Sequence, residues 1–394
     1  MNDITIVRKA RELERPRVLQ VLPALDRGGA ERSAVDVSVA VAAAGGGAVV
    51  ASEGGPLERE LLRGGVPHVK LPLASKNPFV MRSNVQRLER LIAEKEINIV
   101  HARSRAPAWS AYYAARNRKV HFVTTFHGTY NFRTGLKKRY NAIMAKGERV
   151  IANSDFIAQH LREHYEIEPG RVRVIHRGVD LQRFDPDNVS AERVIQLARR
   201  WRLPDGLPIV LLPGRLTRWT GQSLLLQALT RLGTRDYRAI LVGSDQGREA
   251  YRRELEETID KLGLAEKAFL LDNCDDMPAA YKLADVVVSA STDPEAFGRV
   301  VSEAQAMGRP VVAADHGGVP EQVIPEVTAF LFEPRSAEAL AAALEKALDL
   351  GEGARNSLAE VAITHVRVKF DKERMCAATL GIYQELLRQD AYAL

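Results

Sequence analysis

The chain has 394 residues, enough for two to three domains at roughly 150 residues each, and 46% of them are hydrophobic. Charged residues make up 27% and aromatics 6%, which excludes a disordered tail, a collagenous chain or a small disulfide-stapled peptide. The net charge of +6 is unevenly spread: residues 101–150 hold eleven Lys and Arg against Glu148 alone, a local +10 that leaves −4 for the rest of the chain.

Residues 1–16 form a polar lead-in without the apolar core of a secretory signal, so the chain is expected to stay in the cytosol. From residue 17 onward, short β-branched runs alternate with amphipathic stretches. The pattern predicts strands at 18–22, 48–52, 68–73, 97–102, 122–126, 150–153 and 172–176, most with charges only at their ends, as strands buried on both faces of a parallel sheet require. Between them, as at 84–95, apolar residues such as Val85, Leu88, Leu91 and Ile92 recur at helical spacing. Residues 17–185 therefore read as a doubly wound α/β domain. The longest uncharged run, 37–52, has sixteen residues broken by Gly45, Gly46 and Gly47, short of the ~20 apolar residues of a membrane span.

The polar segment 180–206, rich in Asp, Arg and Pro, has no clear strand and reads as the connection to a second domain. Strands restart at 208–212, 238–242, 268–271, 286–291 and 310–314, separated by helices near 223–232, 250–261, 299–307 and 337–350, giving a second doubly wound domain over 186–370. The terminal segment 371–394 contains a last amphipathic helix, 372–388. Cys274 and Cys376 are too few and too far apart for a disulfide framework or a four-cysteine zinc site, and read as free thiols.

Such sheets bind ligands beyond the C-terminal ends of their strands, where helix N-termini favour phosphate. Four features lie there. Gly28 and Gly29, after the first strand, let a backbone present N–H groups to an anion, or simply make a tight turn; the spelling matches neither a dinucleotide fingerprint nor a P-loop. Arg215, in the segment 213–222, can offer a planar fork of donors to phosphate or form a surface salt bridge. Glu295 in the loop after an apolar strand and Glu303 about two turns into the next helix suit vicinal diols, Glu303 a ribose and Glu295 a hexose, with Gly298 leaving room beside the helix start. His127, next to Gly128, ends a first-domain strand and is placed for ligand contact.

The basic window attracts an anionic partner or else is a solvated face. Its aromatics could stack bases, but nucleic acid is not the expected partner. His160 and His164 match an H-x-x-E-H spelling, yet no distal acidic ligand stands out, and the segment reads as a charged surface helix rather than a metal site.

Taken together, GGAE at 28–31, His127-Gly128, Asn153-Ser154, Gly178-Val179-Asp180, Gly214-Arg215, EAFGRVVSEA at 295–304 and Asp315-His316-Gly317-Gly318 resemble a family 4 glycosyltransferase over residues 17–388. The resemblance implies the GT-B architecture: an α/β chain with two doubly wound Rossmann-like domains facing a central cleft. The first domain would receive the acceptor and the second the donor, and the C-terminal helix would cross back to the first. It also implies a nucleotide-diphosphate sugar as co-substrate, retention of anomeric configuration, no cofactor and no required metal. By position, Glu303 would hold the donor ribose and Glu295 the transferred sugar, with Phe297, Gly298 and Arg299 giving backbone contacts around sugar and diphosphate. Arg215 would neutralise the departing diphosphate, helped by the N–H groups of Gly28 and Gly29, and His127 would contact the sugar near the reacting carbon.

The family's usual lysine before the glycine of the Gly-Arg segment is Thr220 here, with Arg218 as the nearest substitute cation. The alternative is therefore a catalytically impaired protein that binds nucleotide sugar or glycan. The wording of 295–321 and 101–109 is similar to bacterial envelope sugar transferases, including those that build lipopolysaccharide cores with GDP-mannose. That similarity implies transfer of mannose or a similar hexose to a lipopolysaccharide core or another envelope glycan. Arg103, Arg105, Lys137 and Lys138 would then meet an anionic glycan or glycolipid acceptor, at an anionic membrane surface on the cytoplasmic side.

Overall fold

The computed structural model describes residues 15–392 apart from 27, 131–133 and 205, so all but the last two residues of the 1–16 lead-in lie outside the described residues. Two compact units form, one of residues up to 178 together with 372 onward, the other of residues 179–371.

The first unit is built on seven parallel strands: β1 (Arg17–Val21), β2 (Gly47–Ser52), β3 (His68–Lys70), β4 (Ile99–Ala102), β5 (His121–Phe126), β6 (Arg149–Ala152) and β7 (Val172–Val174). Their order is β3-β2-β1-β4-β5-β6-β7. The central strands are buried apart from the first residue of β1 and of β5, as their apolar composition requires when helices cover both faces. The chain direction across the sheet reverses between β1 and β4, and loops at such a switch point diverge to leave a ligand crevice.

The C-terminal helix Lys372–Tyr392 belongs to this unit. Met375, Cys376, Ile382, Tyr383, Leu386 and Leu387 pack into one apolar cluster with Val18, Val35 and Ile99. Glu385 Oε1 accepts from Arg149 at 2.6 Å and Arg173 at 3.1 Å, tying the helix to β6 and β7. The Tyr383 hydroxyl meets His101 Nδ1 at 2.6 Å, while Nε2 of the same ring meets the Thr125 hydroxyl at 2.7 Å.

His101 is fully buried, and burial, reinforced by the charge of Arg103, holds its pKa well below the usual 6.5. The unfolded chain takes up this proton below pH 6.5 and the folded chain does not, so stability is lost as pH falls. The loss should approach about 1.4 kcal/mol per pH unit for this residue. Urea unfolding between pH 7.5 and 5.5 should show a decline that begins near 6.5 and is shallower in His101→Asn; equal slopes would contradict a buried neutral imidazole.

The second unit has six parallel strands: β8 (Ile209–Pro213), β9 (Arg238–Val242), β10 (Ala268–Leu271), β11 (Val286–Ser289), β12 (Val311–Ala314) and β13 (Ala329–Phe332), ordered β10-β9-β8-β11-β12-β13. One apolar cluster covers each face of the sheet. Strand β13 escaped the sequence reading because Ala-Phe-Leu-Phe is a four-residue run with no β-branched residue.

The segment 180–206 is not a free connection. Val179, Phe184, Val189 and Leu197 are buried in the second unit's core, and Ser190 caps the helix Ala191–Arg200. Val179 just before this polar stretch and three apolar anchors within it draw it onto the unit, so the boundary falls at 178/179 rather than 185/186, with the return at 371/372. Both cysteines are free thiols. No helix among the described residues is long and apolar enough to cross a membrane.

Candidate active site

In the second unit the switch point lies between β8 and β11, which pair directly through Val210–Val286 and Leu211–Val287. The loops that follow these two strands are therefore neighbours. Thr292 N donates to the Trp219 carbonyl at 2.8 Å, and Gly221, at φ +85°, lies so close to the Ala290 carbonyl that a Cβ would overlap it. Only glycine permits this approach.

Arg215 leaves the end of β8 with its backbone fixed. Its carbonyl accepts from the Thr220 hydroxyl and from Gln222 Nε2, both at 2.9 Å. The guanidinium is exposed, lies 5.8 Å from the centre of the Trp219 ring, and makes no hydrogen bond or ion pair among the described residues. An unpaired planar cation on a fixed stretch of backbone just after a strand end is suited to a phosphate.

The loop after β11 carries Glu295 into the helix Arg299–Ala306, whose N-cap is Gly298 at φ +79°. The Ser291 hydroxyl donates to Glu295 Oε1. His316 Nε2 donates to the Ser291 carbonyl at 2.9 Å, and Gly318 N donates to the Glu295 carbonyl at 2.8 Å. Gly317, at φ +65°, packs so tightly on the Glu295 backbone that no Cβ fits. The Glu295 loop is thus clamped between the turn at 219–221 and the segment after β12. Phe297 anchors it: its ring is buried edge-on against Phe370, and its carbonyl accepts from Gln322.

Glu303 lies in the second turn of the helix and is buried. Oε2 accepts from the Tyr281 hydroxyl at 3.0 Å and Oε1 from Arg299 at 2.5 Å. Each oxygen keeps lone-pair capacity for a further donor, as a diol would need.

In the first unit, Gly28 caps the helix Gly29–Ala43 at the β1/β4 switch, and the Glu31 side chain folds back over Gly28. An acidic group thus already lies beside the N–H groups that sequence assigned to a diphosphate. The strands β4, β5 and β6 are each followed by a polar residue: Arg103, His127 and Asn153. Arg103 is 4% exposed; Nε donates to Gln20 Oε1 at 2.7 Å, and one terminal nitrogen has no partner. His127 Nδ1 accepts from Arg177 at 3.0 Å, which places the ring proton on Nε2, buried and without a partner. Burial, then the charges of Arg177 and Arg103, hold this imidazole well below 6.5, so it is a neutral N–H donor at pH 7. Asn153 is 2% exposed, and neither amide atom has a partner. An unpaired buried polar group costs roughly 1–3 kcal/mol, and three at neighbouring strand ends are characteristic of a ligand site rather than of a core.

The acceptor residues expected from the basic window separate. Arg103 is inside, not on the surface, because Gln20 and Thr125 receive it there. Arg105 donates to Asn141 at 3.0 Å and lies 4.4 Å from the centre of the Tyr130 ring. Lys137 and Lys138 are exposed on the short helix Gly135–Asn141.

Residues 195–364 match the family model described as glycosyl transferases group 1, and residues 27–183 match glycosyltransferase family 4. The chain is 34% identical over 257 residues to a D-inositol 3-phosphate glycosyltransferase of Salinispora tropica, covering 63% of this chain and 53% of the relative, so it spans about half the length of that relative. It is 30% identical over 330 residues to one from Xylanimonas cellulosilytica, covering 78% and 76%. A crystal structure of a glycosyltransferase from Rickettsia africae ESF-5 is 38% identical, with TM-score 0.88 over 95% of this chain and 99% of that one. The chain belongs to the family 4 glycosyltransferases.

As a family 4 glycosyltransferase it keeps the GT-B fold and departs at Thr220. That side chain is buried, and its hydroxyl supports Arg215 through the carbonyl. Arg218 does not supply the second cation: both its terminal nitrogens donate to Glu254, at 2.6 and 2.5 Å, and it lies 5.2 Å from the centre of the Tyr251 ring. Tyr281, Ser291 and Arg177 carry no local sequence signal that marks them as site residues, and Asn153 stands out only within the Asn153-Ser154 pair. A polar residue directly after a parallel strand was the available signal for Asn153.

Proposed function

We propose that this chain transfers a hexose from a nucleotide-diphosphate sugar to an anionic acceptor, with retention of configuration and without a metal ion. The observation that carries the reading is the switch point of the second unit, where an unpaired Arg215 and two clamped carboxylates, Glu295 and Glu303, occupy neighbouring loops and the helix that follows. Glu303 holds the ribose, Glu295 the hydroxyls of the sugar, and Arg215 the diphosphate. In the reaction the bond from sugar C1 to the phosphate oxygen breaks and its electron pair stays on that oxygen. The acceptor oxygen bonds to C1 and its proton passes to the departing diphosphate. Charge grows on the leaving group, so a cation there lowers the barrier.

The buried polar ends of β4, β5 and β6 favour an acceptor that carries both hydroxyls and an anionic group. A lipopolysaccharide core or another envelope glycan, with mannose from GDP-mannose, fits the resemblance. Inositol 3-phosphate, the substrate in the curated relatives' names, fits the same chemistry. A second reading, binding without turnover, is favoured by the engagement of Arg218 with Glu254 beside Thr220. Purified protein would be incubated with GDP-mannose, UDP-glucose and ADP-glucose and either inositol 3-phosphate or a phosphorylated lipopolysaccharide core, with the product anomer read by proton NMR. Retained transfer supports the proposal; no transfer above Glu295→Ala supports binding alone.

A glycolipid acceptor would bring the chain to the inner face of the cytoplasmic membrane. Phe79 and Leu136 are 83% and 82% exposed; exposed Lys76 and Arg82 lie three residues to either side of Phe79, and Lys137, Lys138 and Arg139 directly follow Leu136. Flotation with vesicles containing phosphatidylglycerol should recover the protein at low salt and progressively less as salt rises; equal recovery with neutral vesicles would contradict the electrostatic part.

A further inference from the structure

Tyr281 lies on the helix Met277–Leu283, 1% exposed, with its ring 6.0 Å from that of Phe184 in the second unit's core. Its hydroxyl donates to Glu303 Oε2. Burial, with the adjacent Glu303 charge adding, holds the phenol well above its usual 10, so it remains a donor at every working pH.

The other carboxylate oxygen belongs to Arg299, one helical turn earlier, through a single terminal nitrogen. Arginine and carboxylate favour two parallel hydrogen bonds, a fork on a fork. Here the second arm does not close: Arg299 Nε is buried and without a partner. The oxygen it would take is the one that Tyr281 holds.

We propose that Tyr281 is a positioning residue for nucleotide recognition: its hydroxyl keeps the Glu303 carboxylate from closing onto Arg299 and presents it to the ribose diol. This rests on the reading of Glu303 as the ribose ligand. Tyr281 acts only through that carboxylate. Its loss should therefore erase the distinction between ribose and deoxyribose while leaving base and phosphate recognition intact.

The test is calorimetric titration of UDP, GDP and ADP and their 2′-deoxy counterparts into wild type, Tyr281→Phe and the double variant Tyr281→Phe/Arg299→Met, with thermal unfolding as a check that the ring still packs. For the diphosphate that wild type binds best, Tyr281→Phe should weaken the ribose form roughly tenfold, leave the 2′-deoxy form nearly unchanged, and so collapse the ratio between them. Removing the competing arginine should restore much of that ratio. A wild-type ratio in Tyr281→Phe, or equal weakening of both forms, overturns the positioning role. A wild type that binds none of the three diphosphates, or binds both sugar forms equally, instead overturns the ribose assignment of Glu303 and the proposal with it.

Discussion

Arg215→Ala should lower kcat by about 10²–10³-fold, the loss that follows removal of one preorganised donor from a developing negative charge. The guanidinium has no partner within the described residues to compete for it, and the backbone it springs from is held at its carbonyl by Thr220 and Gln222. Because the side chain is exposed and unpaired, stability should move by no more than about 0.5 kcal/mol. Arg215→Lys should recover only part of the rate, since an ammonium supplies charge without the planar fork. Steady-state rates and urea midpoints on the same preparations check this. Full activity in Arg215→Ala would mean that another group balances the diphosphate.

Glu295→Ala should lower kcat by about 10³-fold while leaving the affinity for the nucleoside diphosphate within about twofold, because the role proposed for it is to hold the sugar that is being aligned for attack. The clamp around it is the physical basis: Ser291 donates to the carboxylate, His316 holds the Ser291 carbonyl, and Gly318 holds that of Glu295. Ser291→Ala loosens the carboxylate without removing it and should cost less, roughly tenfold. Titration of the diphosphate alone separates the roles: a parallel loss of diphosphate affinity in Glu295→Ala would move this residue from the sugar to the nucleotide.

What the sequence made legible follows from locality. Parallel strands buried on both faces are short apolar runs, so the two sheets could be read before their order was known. Glu295 and Glu303 belong to one loop and the helix it feeds, and their spacing alone puts them together. The supports for these residues come from farther away: Tyr281 reaches Glu303 across 22 positions, Arg177 reaches His127 across 50, and Tyr383 reaches His101 across 282. No periodicity carries such pairings. Arg103 shows the opposite difficulty. A charge in a basic window suggests solvent, but Gln20, 83 residues earlier, receives its Nε within the core. The segment 180–206 misled for a related reason, because its polar composition hid the few apolar residues that seat it on the second unit.

The most direct measurement is thermal unfolding of the protein with UDP, GDP, ADP and their common sugar conjugates, with and without EDTA, since a ligand that binds only the folded state raises the midpoint. A nucleotide-sugar site that relies on Arg215 rather than on a metal predicts an upward shift with one base, unchanged by EDTA and lost in Arg215→Ala with the sugar conjugate. No shift with any nucleotide, or a shift abolished by EDTA, would contradict it.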